Sequence, residues 1–202
     1  GVLPLDDRGA AALFRAAQRP GLPTTRGRFV YLPPISHVIA DNCPPTARGW
    51  TTAVELDHPS SSGDGVLLAR GSLNSGFVLY VKGGVPLFDY NDFHRHTRIA
   101  GDAPLTPGRH EIGLRVVRTA DGGADVSLSV DGIPVASGRL PRLLFIISTQ
   151  GMDIGRSLSP VNADYAAPFA YAGEIKRVVF EVPRTPPAGE VKAQVRTEMS
   201  RQ

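Results

Sequence analysis

The stretch 76-GFVLYVKGGVPLFDYN-91 decides the fold class of this 202-residue chain. Its first seven residues carry apolar side chains on both faces with the period of two that is typical of a β-strand. The side chains predicted to face one way are Phe77, Leu79 and Val81, with Val78 and Tyr80 facing the other way. The pair Gly83-Gly84 then predicts a two-residue turn into a second strand over 85–91. This stretch therefore predicts an antiparallel β-hairpin.

The same signals recur along the chain at intervals of roughly 8 to 12 residues. Asp131-Gly132 predicts another tight turn, and the 22 Gly and 18 Pro suit many short strands joined by turns. Further strands are predicted at 50–57, 66–70, 110–118, 124–130, 133–140 and 174–182, with a short one at 152–155. The pattern predicts an all-β protein: an antiparallel β-sandwich of the jelly-roll, concanavalin-like or laminin-G-like type with one short N-terminal helix.

Three regions are predicted from the distribution of these signals. Residues 1–48 read as a linker segment that carries a helix over 6–19, which Pro20-Gly21 ends. Residues 49–182 form the β-sandwich domain, and 183–202 are a Pro-rich, charged tail. Because the chain begins with Gly rather than Met, we expect a processed or excised piece of a longer protein.

Composition excludes several classes of function. The net charge is +3, but Lys and Arg are dispersed and form no basic stripe with interleaved aromatics, so we predict no nucleic-acid partner. No apolar run approaches the roughly 20 residues of a membrane span, so we predict no membrane partner. A single cysteine excludes an internal disulfide and leaves the compartment undetermined, with either a cytoplasmic or a periplasmic location open.

The cysteine lies in 41-DNCPPTARGW-50, which is close to a sulfatase motif. In that motif, C-x-P-x-R, the cysteine is oxidised to the nucleophile formylglycine and the arginine stabilises it. Here Arg48 comes one position too late after Cys43. We predict instead a loop that leads into the strand at Trp50.

Glu55 and Asp57 raise a second enzymatic possibility, because some jelly-roll glycoside hydrolases carry E-x-D-x-x-E on one strand. The third position of that pattern is Ser60, and Pro59 breaks the strand. General acid and base catalysis needs two positioned carboxylates, so solvated charges on an outer face are the better interpretation. We predict no catalytic residue in this chain.

The stretch 90-YNDFHRHTR-98 is the candidate ligand-binding region. Its Tyr90, Asn91, His94 and His96 lie near one strand end and suit contacts to a sugar or an anion. A metal held by the two histidines and Asp92 is the alternative, but H-x-H on an exposed edge is common and no Cys or further His lies nearby in sequence. We predict no metal site, and we interpret the aspartates beside glycines as turn residues.

Four ordered motifs resemble the C-terminal region of large bacterial arylsulfatases. They are 76-GFVLYVKGGVPLFDYNDF-93, 105-LTPGRHEIGLRVV-117, 125-DVSLSVDGIPVASGRLPR-142 and 152-MDIGRSLSPVNADYAAPFAYAGEIKRVVFEV-182. The resemblance implies that the formylglycine and calcium of the family belong to a separate N-terminal catalytic domain. It therefore implies no cofactor in this chain and a catalytic sulfatase domain as partner, in cis or as a separate chain.

Two functions follow from the sequence. The leading hypothesis is a non-catalytic accessory domain of an arylsulfatase, which packs against the catalytic domain and shapes substrate access. The alternative is a lectin-like carbohydrate-binding module with a glycan partner.

Overall fold

The computed structural model describes residues 26–59, 63–144 and 150–184. Within them a compact unit runs from Arg28 to Pro183. The predicted helix at 6–19 lies outside the described residues, as does the predicted tail from 185 onward.

The described residues form twelve strands and one short 3-10 helix, Ala40–Asn42. The strands are β1 (Arg28–Tyr31), β2 (His37–Val38), β3 (Gly49–His58), β4 (Gly65–Gly71), β5 (Gly76–Lys82), β6 (Val85–Asp92), β7 (Arg95–Ala100), β8 (Gly108–Arg118), β9 (Ala124–Val130), β10 (Ile133–Leu140), β11 (Met152–Ile154) and β12 (Glu174–Glu181). They build two six-stranded sheets. Sheet A has the order β1-β12-β3-β8-β9-β10, and sheet B the order β2-β11-β4-β5-β6-β7.

Every strand pair in both sheets is antiparallel, so the predicted β-sandwich is confirmed. Both predicted tight turns form: Gly83-Gly84 has φ of +60° and +76°, and Asp131-Gly132 has +53° and +80°. These left-handed values are the ones that a two-residue hairpin turn of this type requires. The turn residues therefore set the register of β5 with β6 and of β9 with β10.

The sandwich begins earlier than the predicted boundary at residue 49. Strand β1 pairs with β12 in sheet A, and β2 pairs with β11 in sheet B. Each sheet thus gains an outer strand from residues assigned to the linker. Irregular, Pro-rich sequence around these short strands masked their pairing.

Strand β7 was also missed, because its sequence RHTRIA is polar and only Ile99 is buried. The turn before it contains no glycine, yet Phe93 and His94 adopt left-handed φ of +48° and +69°. An edge strand needs few apolar residues because one face and one edge meet solvent. Neither signal used for the other hairpins was present here.

The main core lies between the sheets and contains the alternating positions predicted to face inward. Trp50 of β3 stacks on Phe77 of β5 with ring centroids 5.1 Å apart, which joins the two layers. The inward residues of β3 and β8 include Val54, Leu56 and Ile112, all fully buried.

The outer faces of the two sheets differ. On sheet B, outward residues such as Val78 and Tyr80 form a second apolar cluster with Val161 and Tyr165, so the segment 155–171 covers this face. On sheet A, the outward residues of β3 and β8 are exposed or half-buried, and most are polar or small. Sheet A therefore presents the polar face. No helix among the described residues has the length and apolar character to cross a bilayer.

Candidate functional site

The four predicted ligand residues do not share one environment. Tyr90 points into the main core, where its hydroxyl accepts a hydrogen bond from the backbone N–H of Leu144 at 2.9 Å. Asn91 is fully buried, and its amide donates to the carbonyls of Leu73 at 2.8 Å and Val161 at 3.1 Å. Both residues are therefore structural, which corrects their assignment as ligand contacts.

The two histidines do reach solvent. His94 is exposed in the turn between β6 and β7. The backbone N–H of His94 donates a hydrogen bond to the side-chain oxygen of Asn91 at 2.8 Å. His96 is partly exposed and lies 2.9 Å from the buried carboxylate of Asp89 through Nδ1. Within the part of the chain that the structure describes, His94 is thus the member of the predicted set whose side chain is exposed and makes no hydrogen bond.

Because Tyr90 is buried, the free energy of unfolding should depend on pH in the alkaline range. Burial raises the pKa of its phenol to about 12, from about 10 in an unfolded chain. Between these values the folded state keeps a proton that the unfolded state has lost. We expect the free energy of unfolding to fall by about 2 to 3 kcal/mol as pH rises from 10 to 12 on account of Tyr90.

Urea unfolding at pH 9 and pH 11.5 measures this dependence, and Tyr90→Phe isolates it from the other buried tyrosines. The variant is less stable at pH 9, because the N–H of Leu144 loses its acceptor. Its additional loss at pH 11.5 should be smaller than that of the wild type. Equal losses would contradict the assignment.

Cys43 is buried at the end of the 3-10 helix, in the loop that was predicted to enter β3. Its thiol donates to the carbonyls of Val38 at 3.5 Å and Ile39 at 3.4 Å. Burial raises the pKa of the thiol, an effect that the charge of Arg70 partly opposes. A buried thiol with a raised pKa is a poor nucleophile.

The candidate site lies on the outer face of sheet A, along β3 and β8. Three pairs of opposite residues define what we call the sheet-A groove: Thr51 with Arg115, Ala53 with Gly113, and Glu55 with Glu111. Alternation in both strands places all six on the face opposite the core. Small residues in the middle thus separate polar residues at the two ends.

Glu55 is fixed at one end of the groove by cations from both neighbouring strands. Arg177 of β12 donates to one carboxylate oxygen, and Arg109 of β8 lies 3.5 Å from the other. Only 18% of the Glu55 side chain is exposed. These ion pairs also offset the repulsion between Glu55 and Glu111, which lie directly opposite each other.

A pocket of about 300 Å³ opens beside Glu55, between Arg109, His110, Glu111 and Asp131. The two ring nitrogens of His110 lie 2.7 Å from Asp131 Oδ2 and 2.8 Å from the carbonyl oxygen of Thr106. The hydroxyl of Thr106 also lies 3.2 Å from Nε2, so both ring nitrogens are within hydrogen-bond distance of neighbouring groups. The hydrogen bonds of the His110 ring therefore hold the pocket wall in place.

Asp131 also accepts a hydrogen bond from the backbone N–H of Glu111 at 2.8 Å. Burial alone would raise the pKa of Asp131, but this bond and the hydrogen bond and charge of His110 together lower it below its ordinary value. The carboxylate is thus held in its charged form. Asp131 serves both the hairpin turn and the pocket.

This arrangement suits binding better than acid and base catalysis. Glu55 is engaged by two guanidinium groups, and Asp57 lies 3.0 Å from the ammonium of Lys176. A hydrolase would need one carboxylic acid free to donate a proton. Fixed carboxylates and guanidiniums instead form a set of acceptors and donors for ligand hydroxyls.

Across residues 26–59, 63–144 and 150–184, no group of three or more His, Cys, Asp or Glu is arranged to hold a metal ion. The sequence had indicated Glu55 and Asp57 as outer-face charges, but it did not indicate their partners. The alternation of β8 and β12 marks Arg109 and Arg177 as outward-facing. Only the strand order brings them beside Glu55.

The fold has several relatives among solved structures. It is similar to the carbohydrate-binding module CBM40 of a Ruminococcus gnavus sialidase bound to α2,6-sialyllactose, with a TM-score of 0.55, 13% identity, and coverage of 74% of this chain and 84% of that one. The fold is thus an antiparallel β-sandwich of the kind found in this module. The NanB sialidase of Streptococcus pneumoniae matches with a TM-score of 0.57 and 13% identity over 82% of this chain, which spans only 27% of the enzyme.

Mouse laminin α1 domains LG4-5 match with a TM-score of 0.51 and 12% identity, over 80% of this chain and 40% of theirs. No protein-family model matches the sequence, and no curated protein matches it either. At these identities the likeness concerns the fold alone. The resemblance to arylsulfatase C-terminal regions remains a prediction from the motifs.

Proposed function

We propose that this chain is a non-catalytic carbohydrate-binding module that holds a glycan in the sheet-A groove. The observation that carries the proposal is the Glu55 carboxylate, which Arg177 and Arg109 fix at the edge of a polar, open sheet face. The likeness to a module bound to sialyllactose supports it. This is the lectin-like function that the sequence offered as an alternative.

The groove has the chemistry that a sugar requires. Carboxylates accept hydrogen bonds from hydroxyls, and guanidinium groups donate to hydroxyl and ring oxygens. Because Arg109 and Arg177 already pair with Glu55, these side chains lose less conformational freedom when a ligand binds. Ala53 and Gly113 keep the centre of the groove low, so a sugar ring can approach the sheet.

A glycan array followed by titration calorimetry tests the proposal with Arg109→Ala. The side chain of Arg109 is 75% exposed, so its removal leaves the core intact. We expect at least a tenfold loss of affinity for the glycan that binds best, equivalent to about 1.4 kcal/mol. Arg156→Ala is the matched control, because Arg156 is an exposed arginine in the segment 155–171, which covers sheet B.

His94→Ala decides between the groove and the turn that the sequence indicated. Loss of affinity in His94→Ala with none in Arg109→Ala would move the site to the β6–β7 turn. Silence across the array would contradict glycan binding altogether. Unchanged melting temperatures of the variants confirm that binding, and not folding, is being compared.

We also propose, on the order of the four motifs, that the chain serves an arylsulfatase as an accessory domain. An exposed apolar loop between β1 and β2 favours a protein partner: Leu32 and Ile35 are 53% and 46% exposed beside a pocket lined by Pro33 and Pro34. Pull-down with a bacterial arylsulfatase that lacks its own C-terminal region tests this. Capture by the wild type but not by Leu32→Asp/Ile35→Asp supports it, and absence of capture contradicts it.

A further inference from the structure

A second pocket lies on the same face of sheet A, at the opposite end of the groove. It has a volume of about 280 Å³ and is formed where β3 starts and where β8 and β12 end. Its polar lining residues are Arg48, Thr51, Arg115 and Glu181. Arg115 lies directly across the strand pair from Thr51, so the pocket is continuous with the groove.

The charges around this pocket are not balanced. Arg48 and Arg115 are both exposed, and neither has an ion pair or hydrogen bond in the part of the chain that the structure describes. The one carboxylate of the lining, Glu181, already faces Arg28 at 3.9 Å. Two guanidinium groups thus border the pocket without a counter-charge of their own.

The contrast with the other end of the groove is informative. There, both arginines form ion pairs with a carboxylate, because Arg177 and Arg109 each contact Glu55. Thr51 and Glu55 are four residues apart on β3, which separates the two ends by about 13 Å. A ligand that reaches both ends is longer than a single sugar, and only one of its ends meets unpaired positive charge.

We propose that Arg48 and Arg115 bind the anionic group of an acidic oligosaccharide, whose neutral sugars lie along the groove toward Glu55. The anionic group is a carboxylate or a sulfate ester, because the planar guanidinium fork donates two parallel hydrogen bonds to either. Thr51 lies beside them and adds a hydroxyl donor. This inference rests on the proposed function and adds the class of ligand and its direction in the groove.

Affinity columns of immobilised dextran sulfate, polygalacturonate and neutral dextran test it, because they carry sulfate, carboxylate and no charge. We expect retention on at least one of the two anionic matrices and weaker or no retention on dextran. Arg115→Ala and Arg48→Ala should each elute at clearly lower salt than the wild type. Arg115→Lys should recover only part of the retention, since it keeps the charge but loses the fork.

Arg156→Ala is again the control, because it removes the same charge from the segment that covers the other sheet. A shift equal to that of Arg115→Ala would mean non-specific attraction to a basic protein and would overturn the proposal. Failure to retain the wild type on either anionic matrix would also overturn it. Glycan binding that depends on Arg109 but not on Arg115 would leave the proposed function intact and remove only this inference.

The matrix that retains the protein distinguishes the two sources of charge. Retention on polygalacturonate alone identifies a sugar carboxylate, and retention on dextran sulfate alone identifies a sulfate ester. Soluble fragments of the retaining polymer should then give at least a tenfold weaker dissociation constant for Arg115→Ala in calorimetry. For neutral glycans, the affinity of Arg115→Ala should be less than twofold below that of the wild type.

Discussion

Gly65→Ala should lower the free energy of unfolding by about 3 to 5 kcal/mol, from backbone strain together with overpacking. Gly65 has φ of +136°, a left-handed value that alanine rarely adopts. A Cβ there would lie 2.3 Å from the Cα of Tyr171 and 2.5 Å from the carbonyl oxygen of Ala170. Because these are backbone atoms, neither can move aside cheaply.

The close approach at Gly65 is where the segment 155–171 joins sheet B. The backbone N–H of Val66 donates to the carbonyl of Phe169 at 2.9 Å, and Ala172 donates to Asp64 at 3.1 Å. Chemical denaturation with circular dichroism measures the loss. We expect it to be accompanied by early exposure of the second apolar cluster.

Gly108→Ala is the matched control for this prediction. Gly108 has φ of +119°, but a Cβ there would meet no atom within 4 Å. Gly108→Ala should therefore introduce the backbone strain without the clash, and its free energy of unfolding should fall by only about 1 to 2 kcal/mol. Equal losses of stability in the two variants would contradict this prediction, because they would mean that the backbone at Tyr171 moves aside at little cost.

Asp89→Ala should lower the free energy of unfolding by about 2 to 4 kcal/mol, because it removes a buried acceptor to which a buried amide donates. The Asp89 side chain is fully buried on the outer face of β6. It accepts a hydrogen bond from Asn162 at 2.9 Å and lies 2.9 Å from His96 and 3.5 Å from Arg98. Asn162 is itself buried, so its amide would be left without this acceptor.

Asp125→Ala provides the comparison, because Asp125 also pairs with an arginine, Arg139, at 3.0 Å. Its side chain is 66% exposed, so we expect a change within about 1 kcal/mol. Thermal and urea unfolding of both variants measure the difference. A loss of under 1 kcal/mol in Asp89→Ala would show that water replaces the network, and would contradict its structural role.

Several parts of the molecule were predictable because they depend on neighbouring residues alone. The alternation in 76–82 gave the strand and both of its faces. The pairs Gly83-Gly84 and Asp131-Gly132 gave two turns because few other residues tolerate left-handed φ. The turn at Phe93-His94 was not predicted, because neither residue type is typical of a left-handed φ.

The site was only partly predictable. Tyr90 and Asn91 looked like ligand contacts because they are polar and lie near a strand end. Tyr90 is buried in the core, and Asn91 is buried where the loops of Leu73 and Val161 meet β6. A strand pattern tells which residues share a face, but not whether another segment covers that face.

By itself, the sequence determined the all-β class, most strands, two hairpin registers and the inward residues, because period and turn chemistry are local. The tertiary structure alone decided that β3 lies between β8 and β12. That order brings Arg177 to Glu55 across 122 positions of sequence and leaves Arg115 facing Thr51. Such pairings depend on the strand order, which is set by the burial of the apolar faces of whole sheets. The polar residues of the groove contribute little to the free energy of that burial.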